Sequence, residues 1–433
     1  MVLTGELVDK LNNSKSPLPC GRVLDGAVIR GRIKARHEDF LVEELPLYEP
    51  SGNGEHLYMG IQKRGLPHTE LVRILRQHFR VPESAIGFAG MKDKLAVTRQ
   101  QVSIHLPTDE PGSLEISDKR VEILWADRHQ NKLRRGHLAG NRFSIRLRDT
   151  DPLKAPQVLN SLRTLEKIGV PNYYGFQRFG YRRNTHRLGF LVVTEDWDGL
   201  VAELLGTKGS SFPDRQREAR ELVDQGRYKE SLPLWTRNEH AERVLLKSLA
   251  SGMAAEEAVR SISKYTISFW VSALQSAIFN RVLDQRLAEK GLDKVDVGDV
   301  AMRHDSRRQF VVHEEIYRDP QFAEDVANFV VSATGPMFGR HMLSPRGKAL
   351  EEEARAAEFV GCDIEALNKC PYNARGTRRP LRIAVTNIEV DSGVDEEGGY
   401  IRMAFDLPRG SYATVVMREF VDGIDSFAES VLE

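Results

Sequence analysis

A chain of 433 residues exceeds the roughly 250–300 residues at which single hydrophobic cores stop growing, so two domains are expected. With 41% hydrophobic and 29% charged residues, the composition excludes a disordered chain, and no run reaches the ~18 apolar residues that would span a bilayer. Net charge is zero, which excludes indiscriminate coating of nucleic acid but leaves room for local basic patches.

The N-terminus, MVLTGELVDK, lacks a basic start and an apolar core and carries acids early, so neither a secretory signal nor a transit peptide is expected. In the segment IKARHEDFLVEE, which follows, Lys34 and Phe40 stand out. Leu57, Met59 and Ile61 alternate with polar or small neighbours and predict a strand. After Pro67, Leu71, Val72, Leu75 and Phe79 recur at three-to-four spacing and predict a helix that Pro82 ends. Val102, Ile104 and Leu106, and then Phe143, Ile145 and Leu147, again alternate. Gly- and Pro-rich loops (SGNGE, LPTDEPGS) separate these pieces. Such period-2 patterns predict an antiparallel sheet with one side open to a ligand. From about Gly169 to Arg382 helical patterning dominates; Val271, Leu274, Ile278 and Val282 form one stripe, with Asn280, Asp284 and Arg286 off it. Strand character returns where Ile401, Met403, Phe405 and Leu407 alternate up to a turn at Pro408. The organisation expected is therefore a β-rich domain interrupted by a mixed insertion.

Charge is unevenly spread. Arg128 to Arg148 contains seven Lys/Arg and no acid, and RGTRRPLR runs from Arg375 to Arg382, whereas EEEARAAE from Glu351 is acidic. Each basic run reads either as a solvated face or as part of an RNA-facing groove. The three cysteines, Cys20, Cys362 and Cys370, show no CxxC spacing, so no zinc site or disulfide framework is expected and the reducing cytoplasm is the expected location. No cofactor and no metal are called for.

The chemistry-bearing segment is GFAGMKDKLAVTRQQVSI from Gly87. Asp93 lies between Lys92 and Lys94, after Gly87 and Gly90 and before an alternating strand. Glycines there would let the backbone turn tightly and approach a substrate. Cationic neighbours favour the ionised carboxylate, the form able to attack carbon. Three further segments mix aromatics with arginines, a combination suited to stacking on an exposed base while guanidiniums hold phosphates. They are KLRRGHLAGNRFSIRLR from Lys132, GVPNYYGFQRFG from Gly169 and PRGSYATVVMREF from Pro408. The plain alternative is that Phe40 and Phe143 are core strand residues.

Together, in this order, these five segments resemble the TruD family of tRNA pseudouridine synthases, over about Lys34 to Arg418. The Lys-Asp-Lys at Asp93, the Gly-Asn-x-Phe at Asn141 and Phe143, and the run from Val170 to Gly180 carry the resemblance. It implies an α+β fold. A pseudouridine synthase catalytic domain with a mixed, mainly antiparallel sheet would comprise residues 1–168 with 384–433. An inserted α/β domain, residues 169–383, would clamp RNA and help select the site. Asp93 matches the family's catalytic aspartate. Phe40, Asn141 and Tyr412 match substrate-contacting residues, Phe143 an aromatic beside the target base, and Lys34 a basic residue near the aspartate. Tyr412 departs from the Phe of some bacterial members and Leu95 from their His; the length and the RRNTHRLG stretch look closer to archaeal or eukaryotic members. The implied partner is tRNA and the implied reaction is isomerisation of one uridine to pseudouridine, at position 13 in the D arm. A catalytically inactive RNA-binding or chaperone protein, and an RNA N-glycosidase that releases the base, remain as alternatives. Oligomeric state is not legible.

Overall fold

The computed structural model describes residues 17, 21–26, 29–90, 92, 94–107, 113–372 and 375–424. The chain forms two compact units, Leu24–Val170 with Ile383–Val431, and Pro171–Arg382 with Met1–Val23.

The first unit is built on one twisted sheet. Its strands, numbered within the unit, are β1 (Phe40–Pro46), β2 (His56–Arg64), β3 (Ile86–Phe88), β4 (Val97–His105), β5 (Val121–His129), β6 (Leu138–Arg148), β7 (Thr386–Asp395) and β8 (Gly398–Pro408). They lie in the order β7-β8-β6-β1-β4-β2-β5, with β3 added on β4. Only β1 and β4 run parallel; the other pairs are antiparallel. The alternation of Leu57, Met59 and Ile61 with that of Val102 and Ile104 makes one buried face. Helix α1 (His68–Phe79) covers it with Leu71, Val72, Ile74 and Leu75. α1 stops at Arg80, which takes a left-handed conformation (φ 52°) two residues before Pro82, as the proline requires. A second helix, α2 (Ala155–Ile168), runs along β7.

The strand half of the first basic run is neutralised within this sheet. Arg148, 1% exposed, forks onto Asp39 at 2.7 Å and Asp395 at 2.5 Å. Arg142 pairs with Asp406 and Glu389, and Arg146 with Asp395.

The second unit is mostly helical. It holds a four-stranded antiparallel sheet, ordered Gln309–Val311, Val300–Arg303, Val331–Met337, Thr377–Pro380. Its axis is the 26-residue helix Lys264–Glu289, whose N-terminus Ser263 caps by accepting from the Thr266 N–H. The expected stripe is there, but the helix is buried on nearly every side, and Asn280, Asp284 and Arg286 are buried too. Each is satisfied, as a buried polar group must be. Asn280 exchanges hydrogen bonds with the Tyr174 backbone, Asp284 accepts from the Tyr173 hydroxyl at 2.6 Å, and Arg286 forks onto Asp299. Gly189 lets the helix Thr185–Val193 approach closely, since a Cβ there would lie 2.1 Å from the Trp270 carbonyl. The described residues of the N-terminal stretch as far as Val23 group here and not with the sheet. The Pro17 carbonyl accepts from Asn280, and the Gly21 N–H donates to Asp284. Cys362 and Cys370 are buried and free, and Cys20 lies outside the described residues. No helix among the described residues is long and apolar enough to cross a membrane.

Candidate active site

The sheet brings together residues separated by a hundred positions in sequence. On β1, Phe40, Val42 and Glu44 share a face because strand side chains alternate. In register they oppose Ile145, Phe143 and Asn141 of β6, and on β6's other side Phe405 and Leu407 of β8 oppose Phe143 and Asn141. Phe143 meets Phe40 edge-on at 6.3 Å between ring centroids and tilts against Phe405 at 6.0 Å. Phe40 is 2% and Phe143 7% exposed. The two are core strand residues forming an aromatic floor, and not freely accessible stacking platforms. Lys34, itself at φ 57°, holds its ammonium 4.5 Å from the Phe40 ring centroid, within cation–π range.

A polar end adjoins this floor. Lys92 Nζ lies 3.0 Å from Glu44 Oε1 and donates to Asn141 Oδ1; the two charged side chains are only 6% and 2% exposed. The Gln101 N–H donates to the other Glu44 oxygen at 2.9 Å. Burial pushes the Glu44 carboxyl upward from its ordinary value despite the opposing pull of Lys92 and Gln101. Lys63, fully buried, donates to the Leu66 carbonyl at 2.7 Å and reaches the Lys92 carbonyl at 3.5 Å. Asp93 lies outside the described residues. Its described neighbours are held on both sides: Lys92 as above, and Val97 in register with Leu41 of β1.

Of the glycines before Asp93, Gly87 serves packing and not a tight turn. Neither Gly87 nor Gly90 has a positive φ. Gly87 sits in β3 opposite Ser103, where a Cβ would lie 2.3 Å from the Leu133 carbonyl and 2.5 Å from Ser103 Oγ. That room admits the loop from Leu133 to His137, which is fastened by Leu133 N–H to Ser103 Oγ, Gly136 N–H to the Ala89 carbonyl, and Tyr48 to His137. Arg409, just past β8, donates to the Gly136 carbonyl. Tyr412 follows three residues later, directly before the short helix Ala413–Arg418, and is partly exposed. Arg134 and Arg135 project from the loop, exposed and without ion partners among the described residues, Arg135 lying over the Phe88 ring at 5.3 Å. Lys94 is exposed as well.

The second basic run behaves differently. Arg378 is 4% exposed and forks onto Glu353, while Arg382 is buried and donates to Ser332 and the Val326 carbonyl. Arg379 donates to Asn172 and lies 4.2 Å from the Tyr174 ring centroid. Sequence proximity made these arginines look like one patch, whereas alternation along a strand turns Arg378 inward to Glu353. Likewise, in the aromatic loop after Gly169, Tyr173 and Phe179 are buried.

Sequence reading missed Glu44, Lys63 and Arg409. The first two were within reach. Glu44 continues the inward positions of Phe40 and Val42, and Lys63 those of Leu57, Met59 and Ile61; an ionisable side chain on a buried strand face must be paired.

The mixed sheet, interrupted after its sixth strand by a mostly helical unit, has the α+β arrangement of a pseudouridine synthase. The same architecture is seen in the crystal structure of the protein assigned as tRNA pseudouridine synthase D (TruD) in Methanosarcina mazei. That structure superposes with a TM-score of 0.80 at 25% identity, over 98% of this chain and 99% of the other. The family model described as tRNA pseudouridine synthase D (TruD) matches residues 22–420. The tRNA pseudouridine synthase D of Geobacter sulfurreducens is 40% identical over 90% of this chain and 93% of its own. That of Thermus thermophilus is 34% identical over 90% and 88%. This chain belongs to the tRNA pseudouridine synthase D family. Relatives of similar length thus include bacterial proteins.

Proposed function

We propose that this protein is a tRNA pseudouridine synthase, an isomerase that converts one uridine, at position 13 in the D arm, with Asp93 as the nucleophile. The observation that carries the reading is the buried Lys92–Glu44 pair beside the Phe40–Phe143 floor, immediately next to Asp93 in sequence. The reaction balances within the nucleotide. The N1–C1′ bond breaks, the base turns, C5–C1′ forms, the C5 proton leaves and N1 takes one up. A carboxylate nucleophile or base is needed, and water must be kept from the detached base. Asp93 serves the first need, with Lys34 favouring its ionised form; Phe40, Phe143 and Tyr412 serve the second. The target must first leave its stack, at a cost of about a few kcal/mol that aromatic and phosphate contacts offset. Lys34, Phe40, Asn141, Phe143 and Tyr412 all belong to the sheet unit, which supports assigning chemistry to that unit and the grasp of tRNA to Pro171–Arg382. A tRNA substrate supports a cytoplasmic location.

The test is Asp93→Asn, which keeps volume but removes the nucleophile. Single-turnover conversion of unmodified tRNA should vanish while tRNA binding stays. Activity within about tenfold of wild type, a loss of only ~1.4 kcal/mol, would sink the assignment. Product analysis also separates the alternatives, since an abasic site would mean a glycosidase and unchanged RNA a binding protein.

A further inference from the structure

Lys92 and Glu44 take no step in the chemistry above, yet they form a buried ion pair at its edge. Burying two charges is costly unless the geometry and the remaining hydrogen bonds are good. Here one Glu44 oxygen is hydrogen-bonded, and the other meets the ammonium as an ion pair without a well-aligned hydrogen bond. Glu44 is fixed by the Gln101 N–H at 2.9 Å and meets Lys92 at 3.0 Å. Lys92 also donates to Asn141, the direct cross-strand neighbour of Glu44.

This contact settles which way the Asn141 amide points. An ammonium has three donors and no acceptor, so the atom facing Lys92 is the amide oxygen. The nitrogen is turned away. It has no hydrogen-bond partner among the described residues, and Asn141 is only partly buried. Asn141 and Phe143 are two residues apart on one strand and therefore share a face. The Asn141 side chain therefore lies on the face that carries Phe143, on the partly exposed stretch of β6 that a base would approach.

We infer that Lys92 and Glu44 are positioning residues that lock Asn141 with its amide nitrogen outward, so that the site offers a hydrogen-bond donor to a carbonyl oxygen of the target uracil. This rests on the reading that the uridine occupies this face. Were the amide free to turn, half its orientations would present an acceptor, which repels a carbonyl and suits the amino group of cytosine. Directed at the 4-position, the locked donor favours uracil, which has a carbonyl there, over cytosine, which has an amine; the 2-carbonyl is common to both and would not discriminate. A fixed donor also avoids the entropy loss of ordering the group when the base arrives.

The experiment is a double-mutant cycle on the full-length protein with unmodified tRNA, reading the single-turnover rate at saturating enzyme and, separately, the tRNA dissociation constant. Asn141→Ala and Lys92→Met should each lower the rate roughly ten- to a hundredfold, the worth of one such hydrogen bond, with little change in tRNA affinity. The double variant should be no slower than Asn141→Ala alone, because Lys92 acts through Asn141. Asn141→Asp, equal in size but presenting only acceptors, should be at least as slow as Asn141→Ala. If Lys92→Met fails to fold, Lys92→Met with Glu44→Gln removes both buried charges and takes its place in the cycle. Additive losses for Lys92 and Asn141, or near-normal rates for Asn141→Asp, overturn the lock. A normal rate for Asn141→Ala instead overturns the underlying reading that this face holds the uridine.

Discussion

Arg134 and Arg135 are exposed and without ion partners among the described residues, whereas Arg378, in the other basic run, is buried against Glu353 at 2.9 and 2.5 Å. The two kinds of arginine should respond oppositely to removal. Each cation that neutralises a phosphate contributes about 0.7–0.9 to the slope of log K against log salt. Removing both, as Arg134→Ala/Arg135→Ala, should lower that slope by about 1.4–1.8. From 50 to 200 mM salt, a fourfold change, the affinity advantage of wild type over the variant should therefore shrink by about 7- to 12-fold. Stability should fall little, since the Arg135–Phe88 contact is exposed and worth about 0.5–1 kcal/mol. Arg378→Met should do the reverse, leaving a buried carboxylate unpaired at about 3–5 kcal/mol while the folded fraction keeps the wild-type slope. Fluorescence anisotropy of labelled tRNA across a salt series, with a denaturant melt of each variant, measures both quantities. A wild-type slope in the double variant, or a reduced slope in Arg378→Met, refutes the division.

Gly87→Ala would drive a Cβ to 2.3 Å from the Leu133 carbonyl; an overpacking cost of about 1–3 kcal/mol and displaced Arg134 and Arg135 should appear as a lower melting temperature and weaker tRNA binding. A variant as stable as wild type would show that the Leu133 loop yields freely. Burial, together with Lys63 and Arg135, holds the His68 imidazole down at about 4 against its ordinary 6.5. The folded state therefore binds fewer protons than the unfolded chain between those values. The stability His68 contributes is complete above pH 6.5 and is lost as pH falls through about 4. Denaturant unfolding at pH 7.5 and pH 5 should show a smaller drop for His68→Gln than for wild type, and equal drops would contradict the assignment.

Much of the sheet was legible because it obeys one local rule. The alternations around Met59, Val102, Ile145 and Met403 each fall on a strand, and Pro67 and Pro82 bracket α1. Motif resemblance likewise selected Phe40, Asn141 and Phe143, which adjacent strands bring together. Sequence alone could not say what each polar group was paired with, since partners such as Glu44 and Lys92 are 48 residues apart. The stripe on Lys264–Glu289 correctly marked an apolar face. Only tertiary structure showed that Asn280, Asp284 and Arg286 are also inside, because burying a polar side chain depends on partners supplied by Tyr174, Tyr173 and Asp299. The same holds for charge. A run of arginines in sequence is a composition, and whether it faces phosphate or an internal carboxylate is decided by which strand face each one occupies. Alternation turned Arg378 inward onto Glu353, Arg148 is buried on the face of β6 opposite Ile145 and Leu147 by Asp39 and Asp395, and a loop left Arg134 and Arg135 outside.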